Sequence, residues 1–391
     1  MWLIRAFWSV CGVFTIDLSY NKFQNAYSAL LIATCVYNFV NASQVICKVD
    51  HWCSTFSSTL TAVYDRMLSS AVFFSRIAVV YKCKPNMSRY RATIRAFEAY
   101  SPPSPAELRR HRAFSLAVVG TCLTVIVPTN SICMYYLCRY EPNSDASLFV
   151  YQLFMYVQNL SMCCIETQFV VQCFKVYTKF RGINDDLKRL KDENLNQSEY
   201  PFMSSTGSSP PPPSSSRSAV VYDKDFYRPR FMSHPTANMV ELLRIKHWLI
   251  RLSIDALNNL FGVHMGLSVF YLWLMALFDI YYEMFYNSRS GLLVYCWLLQ
   301  YTLRLLLIIL MAHFTTKQAF EAKSLITDTN NGTMDSSTKE ELQLFINQIY
   351  SSTTEFNAYD FFTLDTQVIK SAIAAGATCL VILVQFHSEK K

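Results

Sequence analysis

Long apolar runs recur along this chain and are separated by polar, charged segments. Seven of them are near or above the ~20 residues that a helix needs to cross a bilayer, so each is predicted to span a membrane. The spans cover residues 27–46, 56–81, 114–137, 148–174, 257–282, 292–314 and 368–386. The hydrophobic pattern therefore predicts an all-α membrane protein with seven transmembrane helices.

The polar segments differ from one another. Residues 1–26 form a predicted N-terminal segment, in which the apolar stretch 6–16 is expected to lie on the membrane surface. Residues 175–256 form a linker between helices one to four and helices five and six, and its Ser- and Pro-rich part, 204–218, is predicted to be flexible. Apolar residues recur at helical spacing at the end of this linker and within 315–367. Helices are therefore expected to project beyond the membrane.

Composition supports a membrane protein. Hydrophobic residues make up 52% of the chain, aromatic residues 15% and charged residues 16%. Soluble domains carry about 25% charged residues, so this chain has more apolar surface to remove from water than they do. Lipid is the environment that covers such a surface.

Lysine and arginine residues are concentrated on one predicted side of the membrane. Eight lie between the second and third spans, and a further group lies between the fourth and fifth. The opposite connections hold little more than Lys48, Arg139 and Arg289. Because positive charge is retained on the cytoplasmic side of short loops, the N-terminus is predicted to be cytosolic and the tail 387–391 extracellular. This topology is inverted relative to that of a G-protein-coupled receptor. The cytosolic basic residues account for the net charge of +7 without a nucleic-acid partner.

The last span combines small residues with a polar face. Its first half is rich in alanine, serine and glycine, which let neighbouring helices approach closely. Thr378 and Gln385 are seven residues apart and share one face, with Val381 and Ile382 between them. An amide at the mouth of such a helix, followed by Phe386, is suited to line or plug a water path.

Residues 378–386, TCLVILVQF, resemble the C-terminal motif of insect gustatory receptors, in which tyrosine usually stands at the position of Cys379. Segments 243–247, 257–262 and 364–365 also resemble parts of that family. Leu380 follows Cys379, whereas the broad sugar-receptor branch has glutamate there, so the fructose-type and non-sugar members are the more similar ones.

That resemblance implies a ligand-gated, non-selective cation channel that detects a small non-volatile tastant. It implies a homotetramer, or a heteromer with related receptors, in the plasma membrane of sensory neuron dendrites. The seventh helix of each subunit, 368–386, would line one central pore. The expected pore and gate residues are then Thr378, Val381, Ile382, Gln385 and Phe386.

Aromatic and amide side chains in the outer halves of two spans are the candidate ligand contacts. Rings cover the apolar face of a small molecule, and amides bond its polar groups. The same side chains are also common in packing between helices. The candidates are Tyr151, Gln152, Tyr156, Gln158 and Asn159 in the fourth span, and Tyr295, Trp297, Gln300 and Tyr301 in the sixth.

Charged residues within the spans are expected to face the bundle interior and to form pairs or contact water, because lipid solvates charge poorly. Among them are Asp65, Arg66, Arg76, Glu166 and Arg304. Gly262 and Gly266, four residues apart in the fifth span, are expected to permit close contact with another helix.

The chain lacks the sequence signals of other protein classes. The chain has no Gly-rich phosphate loop, no nucleophile elbow and no zinc-binding spacing among its 13 cysteines, so no enzyme, cofactor or metal is predicted. A G-protein-coupled receptor and a transporter fit the pattern less well. An insect odorant receptor channel shares the inverted topology and is the nearest alternative.

Overall fold

The computed structural model describes residues 22–50, 56–140, 146–199, 235–286, 291–330, 334–352, 354–359 and 361–388 of the 391-residue chain, with the backbone alone at some helix ends. The predicted surface segment 6–16 and the Ser- and Pro-rich part 204–218 lie outside these ranges.

Helices make up nearly all of the described chain. They are α1 (Lys22–Asp50), α2 (Phe56–Tyr100), α3 (Pro105–Tyr140), α4 (Ala146–Glu199), α5 (Pro235–Tyr286), α6 (Gly291–Asn330), α7 (Ser336–Tyr350) and α8 (Thr366–Ser388). The β-structure of the described residues is a single isolated antiparallel bridge between Asn357 and Thr363. The all-α prediction is confirmed. Each of the seven predicted spans lies within one of α1–α6 or α8.

Five helices, α3, α4, α5, α6 and α8, are long and apolar enough to cross a membrane, by length and composition. α1 and α2 do not reach that level within the described residues. In α2, Asp65, Arg66 and Arg76 occupy the otherwise apolar first half. That two further helices cross the membrane stays a prediction from the sequence pattern.

α4, α5 and α6 extend beyond the apolar spans and pack together with α7. α4 alone has 54 residues, which corresponds to about 80 Å of continuous helix. Inside this extension the ring of His247 lies 5.1 Å from that of Phe180 and 5.4 Å from that of Phe345. On its surface Lys188 pairs with Glu321 at 2.8 Å. Exposed ion pairs contribute only about 0–1 kcal/mol each, so the buried apolar residues hold this region together.

Residues 354–359 and 361–365, which we call the strap, lie between the α7 region and α8 and fold back onto α5. Asn258 of α5 donates to the backbone carbonyl of Glu355 at 2.8 Å and accepts from the backbone N–H of Asn357 at 3.3 Å. The Phe356 ring lies 5.5 Å from that of Phe169, in the main core. The strap is therefore anchored to the helical bundle immediately before α8 begins.

The two glycines of α5 make room for the strap. A Cβ at Gly262 would lie 3.1 Å from the backbone nitrogen of Tyr359 and 3.3 Å from the carbonyl oxygen of Asn357, and one at Gly266 would lie 3.4 Å from Ala358 Cβ. The expectation that this pair contacts another helix is therefore wrong. Small side chains are required here because an irregular segment of backbone lies against the helix.

Candidate functional site

A buried ion pair joins α4 and α6 within the helical bundle. Arg304 of α6 donates from Nε and Nη2 to the two carboxylate oxygens of Glu166 of α4, at 2.7 and 2.8 Å. Its Nη1 donates to Asn159 Oδ1 at 2.6 Å, and Ser268 of α5 donates to Glu166. Glu166 and Arg304 are each 2% exposed. The expectation that these two charges pair inside the bundle is confirmed.

Three charged residues of α2 also turn inward or toward α1. Asp65 accepts a hydrogen bond from the Tyr151 hydroxyl at 2.8 Å. Arg66 donates to Ser43 Oγ at 2.7 Å, and Arg76 is fully buried. Since each charged group meets polar partners or the bundle interior, these residues fix how α1, α2 and α4 pack.

Tyr301 and Tyr271 lie one helical turn from Arg304 and Ser268, and Tyr64 of α2 meets Tyr301. The hydroxyls of Tyr64 and Tyr301 are 2.9 Å apart, and the ring of Tyr271 lies 6.2 Å from that of Tyr301. Tyr301 precedes Arg304 by three residues and Tyr271 follows Ser268 by three, so each pair shares a helix face. We call Tyr64, Tyr271 and Tyr301 the tyrosine cluster. It connects α2, α5 and α6 directly beside the charged centre.

Polar atoms without a partner lie on the same helices as the tyrosine cluster. Gln300 is 1% exposed, and neither its amide nitrogen nor its amide oxygen bonds any described residue. Asp279 is 5% exposed, and its Oδ2 likewise has no partner among the described residues. A buried polar group without a hydrogen bond is costly, so such groups mark places where water or a polar ligand binds.

The nine predicted ligand residues do not form one site. Tyr301 belongs to the tyrosine cluster, and the buried Gln300 precedes it in α6. Tyr295 is 57% exposed, and Trp297 packs against the core. The others bond or pack against protein groups: Tyr151 with Asp65, Gln152 with Cys133, Tyr156 with a small cluster around Cys122, Gln158 with Ser69 and Thr34, and Asn159 with Arg304.

Sequence reasoning did not select Tyr64, Tyr271 or Asp279. An acidic residue within an apolar span is a signal of function, and Asp279 in the fifth span carries that signal. Tyr64 and Tyr271 have no distinguishing pattern of their own, because their hydroxyls meet Tyr301 only when three helices are packed.

Among the five candidate membrane helices of the described chain, α8 is the least covered by the rest of the protomer. Only 6% of its most apolar stretch is buried. Its contact with the bundle runs through Trp273, whose Nε1 donates to the carbonyl of Ala372 at 2.8 Å, and through Gly376, where a Cβ would lie 3.6 Å from Trp273 and 3.9 Å from Leu277. A groove of about 500 Å³ separates α5 from the first turns of α8.

The predicted pore residues lie on the opposite side of α8 from that contact. At about 100° per residue, Thr378, Val381, Ile382 and Gln385 centre about 190° around the helix from Gly376. All four are exposed on the protomer. Phe386 lies within α8, but its side chain is outside the described residues. The helix thus presents one face to its own bundle and leaves the Thr378–Gln385 face uncovered.

A family model described as the 7tm chemosensory receptor matches residues 28–390, nearly the whole chain. The chain belongs to this chemosensory receptor family. The family consists of receptors rather than enzymes, in agreement with the sequence expectation. The recognition of an insect chemosensory receptor from its terminal motif is therefore confirmed at the level of the family.

Solved structures show the same fold. The insect olfactory receptor OR5 from Machilis hrabei aligns with this receptor at a TM-score of 0.61 and 12% identity, over 98% of each chain. The same olfactory receptor in complex with eugenol gives the same score and identity, over 98% of this chain and 97% of the other. No match is found among curated proteins. At this identity the structural likeness concerns the fold of the receptor.

Proposed function

We propose that this chemosensory receptor is a gustatory receptor: a ligand-gated, non-selective cation channel in the plasma membrane of sensory neuron dendrites. Four copies would surround one pore lined by α8, with an extracellular C-terminus. The exposure of α8 carries this proposal. A transmembrane helix with Thr378 and Gln385 on its uncovered face is unfavourable toward lipid and favourable around a shared water path.

The proposed ligand site lies at the tyrosine cluster. The aromatic rings of Tyr64, Tyr271 and Tyr301 offer apolar surface, and the unpartnered amide of Gln300 offers a donor and an acceptor. This combination suits a small organic molecule with both an apolar part and a hydroxyl or carbonyl group. A ligand placed there would act on the adjacent Glu166–Arg304 pair, which together with Ser268 joins α4, α5 and α6.

An odorant receptor channel is the second candidate, and the fold shared with an insect olfactory receptor supports it. The residues 378–386 favour the gustatory assignment because they resemble the gustatory motif. The two functions differ in the volatility of their ligands and share the channel mechanism.

Voltage-clamp recording from cells that express this chain alone, without added G protein, tests the function. We expect fructose, sucrose, sorbitol or quinine to evoke a cation current. The purified protein is expected to be a tetramer. An epitope placed after Lys391 is expected to stain intact cells, since the C-terminus is proposed to be extracellular. Gln385→Ala is expected to change relative cation permeability at normal surface level. A current evoked by the volatile eugenol alone would support the odorant alternative. A response that requires G protein, or a monomer that conducts, would contradict the channel proposal.

Replacement of Gln300 by leucine is expected to weaken ligand sensitivity without lowering the amount of folded protein. The half-activating concentration should rise about 2- to 12-fold, because one neutral hydrogen bond contributes about 0.5–1.5 kcal/mol. Folding should not suffer, since the amide bonds no described protein group. Dose–response recording at matched surface level measures the effect.

The matched control is Gln158→Leu, also at a buried glutamine. Its amide bonds Ser69 and Thr34, so its loss should reduce surface expression and leave the half-activating concentration of the remaining channels unchanged. If both variants change sensitivity equally, Gln300 has no special relation to the ligand.

A further inference from the structure

Lys370 places a positive charge in the last apolar helix. It lies in the second turn of α8, is exposed on the protomer, and makes no hydrogen bond or ion pair with any described residue. A charged side chain in a membrane helix costs about 2.5–3.5 kcal/mol or more unless it reaches water. The side of α8 on which Lys370 lies therefore indicates where water contacts the helix.

The helical repeat places Lys370 on the uncovered face of α8. It precedes Val381 by 11 residues, so the two lie about 20° apart around the axis and about 16 Å apart along it. Gly376, which contacts Trp273 and Leu277, lies about 120° away. Lys370 thus continues the face of Thr378, Val381 and Gln385 toward the predicted cytosolic end.

The nearest acidic residue in sequence does not neutralise this charge. Asp365 Oδ1 accepts from the backbone N–H groups of Gln367 and Val368, at 2.9 and 3.3 Å. The carboxylate is therefore engaged as the cap of α8. By the helical repeat it lies about 140° from Lys370.

We propose that the four Lys370 side chains form a positively charged ring at the cytosolic mouth of the pore. This inference rests on the tetrameric channel proposed above. Rings of lysine lower the local concentration of cations, because a charged opening between low-dielectric walls focuses the potential. Cations that leave the cell must enter past this ring. The ring therefore makes the ligand-gated current smaller outward than inward.

Recording from inside-out patches in symmetric solutions tests the ring, with channels opened by whichever of fructose, sucrose, sorbitol, quinine or eugenol activates the wild type. Lys370→Gln is expected to raise outward conductance about twofold and to remove rectification. Lys370→Arg should keep the rectification, and Lys370→Glu should reverse it. The effect should grow in dilute salt, since the Debye length rises from about 8 Å at 0.15 M to about 30 Å at 0.01 M.

Lys339→Gln is the matched control, because it removes the same charge from an exposed position on α7. It should leave rectification unchanged. A ligand-gated current whose rectification is the same in wild type and Lys370→Gln at both salt concentrations would overturn the ring alone. That result would place the Lys370 ammonium among lipid headgroups instead of at the pore. Absence of any ligand-gated current from wild type would overturn the proposed function and the ring together.

Discussion

Replacement of Arg304 by methionine is expected to remove most folded receptor from the cell surface. The change would leave the Glu166 carboxylate buried at 2% exposure without the two hydrogen bonds that now compensate its charge. Breaking a buried pair by removing one partner costs about 3–5 kcal/mol, a large part of the stability of a typical domain. Surface biotinylation and thermal unfolding in detergent measure the loss.

The double variant Arg304→Met with Glu166→Leu separates the cost of an orphaned charge from the value of the pair. With both charges gone, surface expression should recover in part, because apolar substitutes for a buried pair are often tolerated. The control is Lys191→Met, which breaks the exposed pair with Asp328 and should change stability by about 1 kcal/mol or less. If Arg304→Met is as mild as this control, the buried pair is not a stability determinant.

Replacement of Gly262 by valine is expected to abolish ligand-gated current while the protein still reaches the surface. Even a single Cβ would approach the backbone nitrogen of Tyr359 to 3.1 Å, and the two methyl groups of valine need more room. Backbone cannot rotate away as a flexible side chain does, so the strap must shift. Because the strap leads directly into α8, we expect at least a tenfold loss of evoked current in electrophysiological recording.

A graded series of glycine variants provides the controls for this prediction. Gly266→Ala meets Ala358 Cβ at 3.4 Å, an ordinary contact distance, and should reduce the current only slightly. Gly120→Val in α3 introduces the same side chain where nothing lies within 4 Å of the Cβ, and should retain the current. Equal currents from Gly262→Val and Gly120→Val at equal surface levels would show that the strap does not couple to the pore.

The sequence predicted the helical fold because long apolar runs determine where membrane helices form, whatever they pack against. It also anticipated that Glu166 and Arg304 face the bundle interior and form pairs or contact water, because lipid solvates charge poorly, but it did not identify them as each other's partner. The tyrosine cluster could not be predicted in this way. Tyr64, Tyr271 and Tyr301 lie far apart in sequence and meet only through the packing of α2, α5 and α6.

The partner of Gly262 could not be predicted for a related reason. Two glycines four residues apart indicate that something approaches closely, but the spacing is the same for a helix and for an irregular segment. Similarly, the sequence does not show that Tyr151 bonds Asp65 or that Gln158 bonds Ser69 and Thr34, and the role of both residues toward a ligand stays a prediction.

The way α5 holds the strap bears on how such receptors diversify. Asn258 and Gly262 meet backbone atoms of Glu355, Asn357 and Tyr359, and every amino acid except proline supplies these groups. Side chains of the strap that face elsewhere are thus free to change without loosening it. Under the proposed function, substitutions in the tyrosine cluster would therefore alter ligand preference while this backbone contact keeps α5 connected to the proposed pore helix.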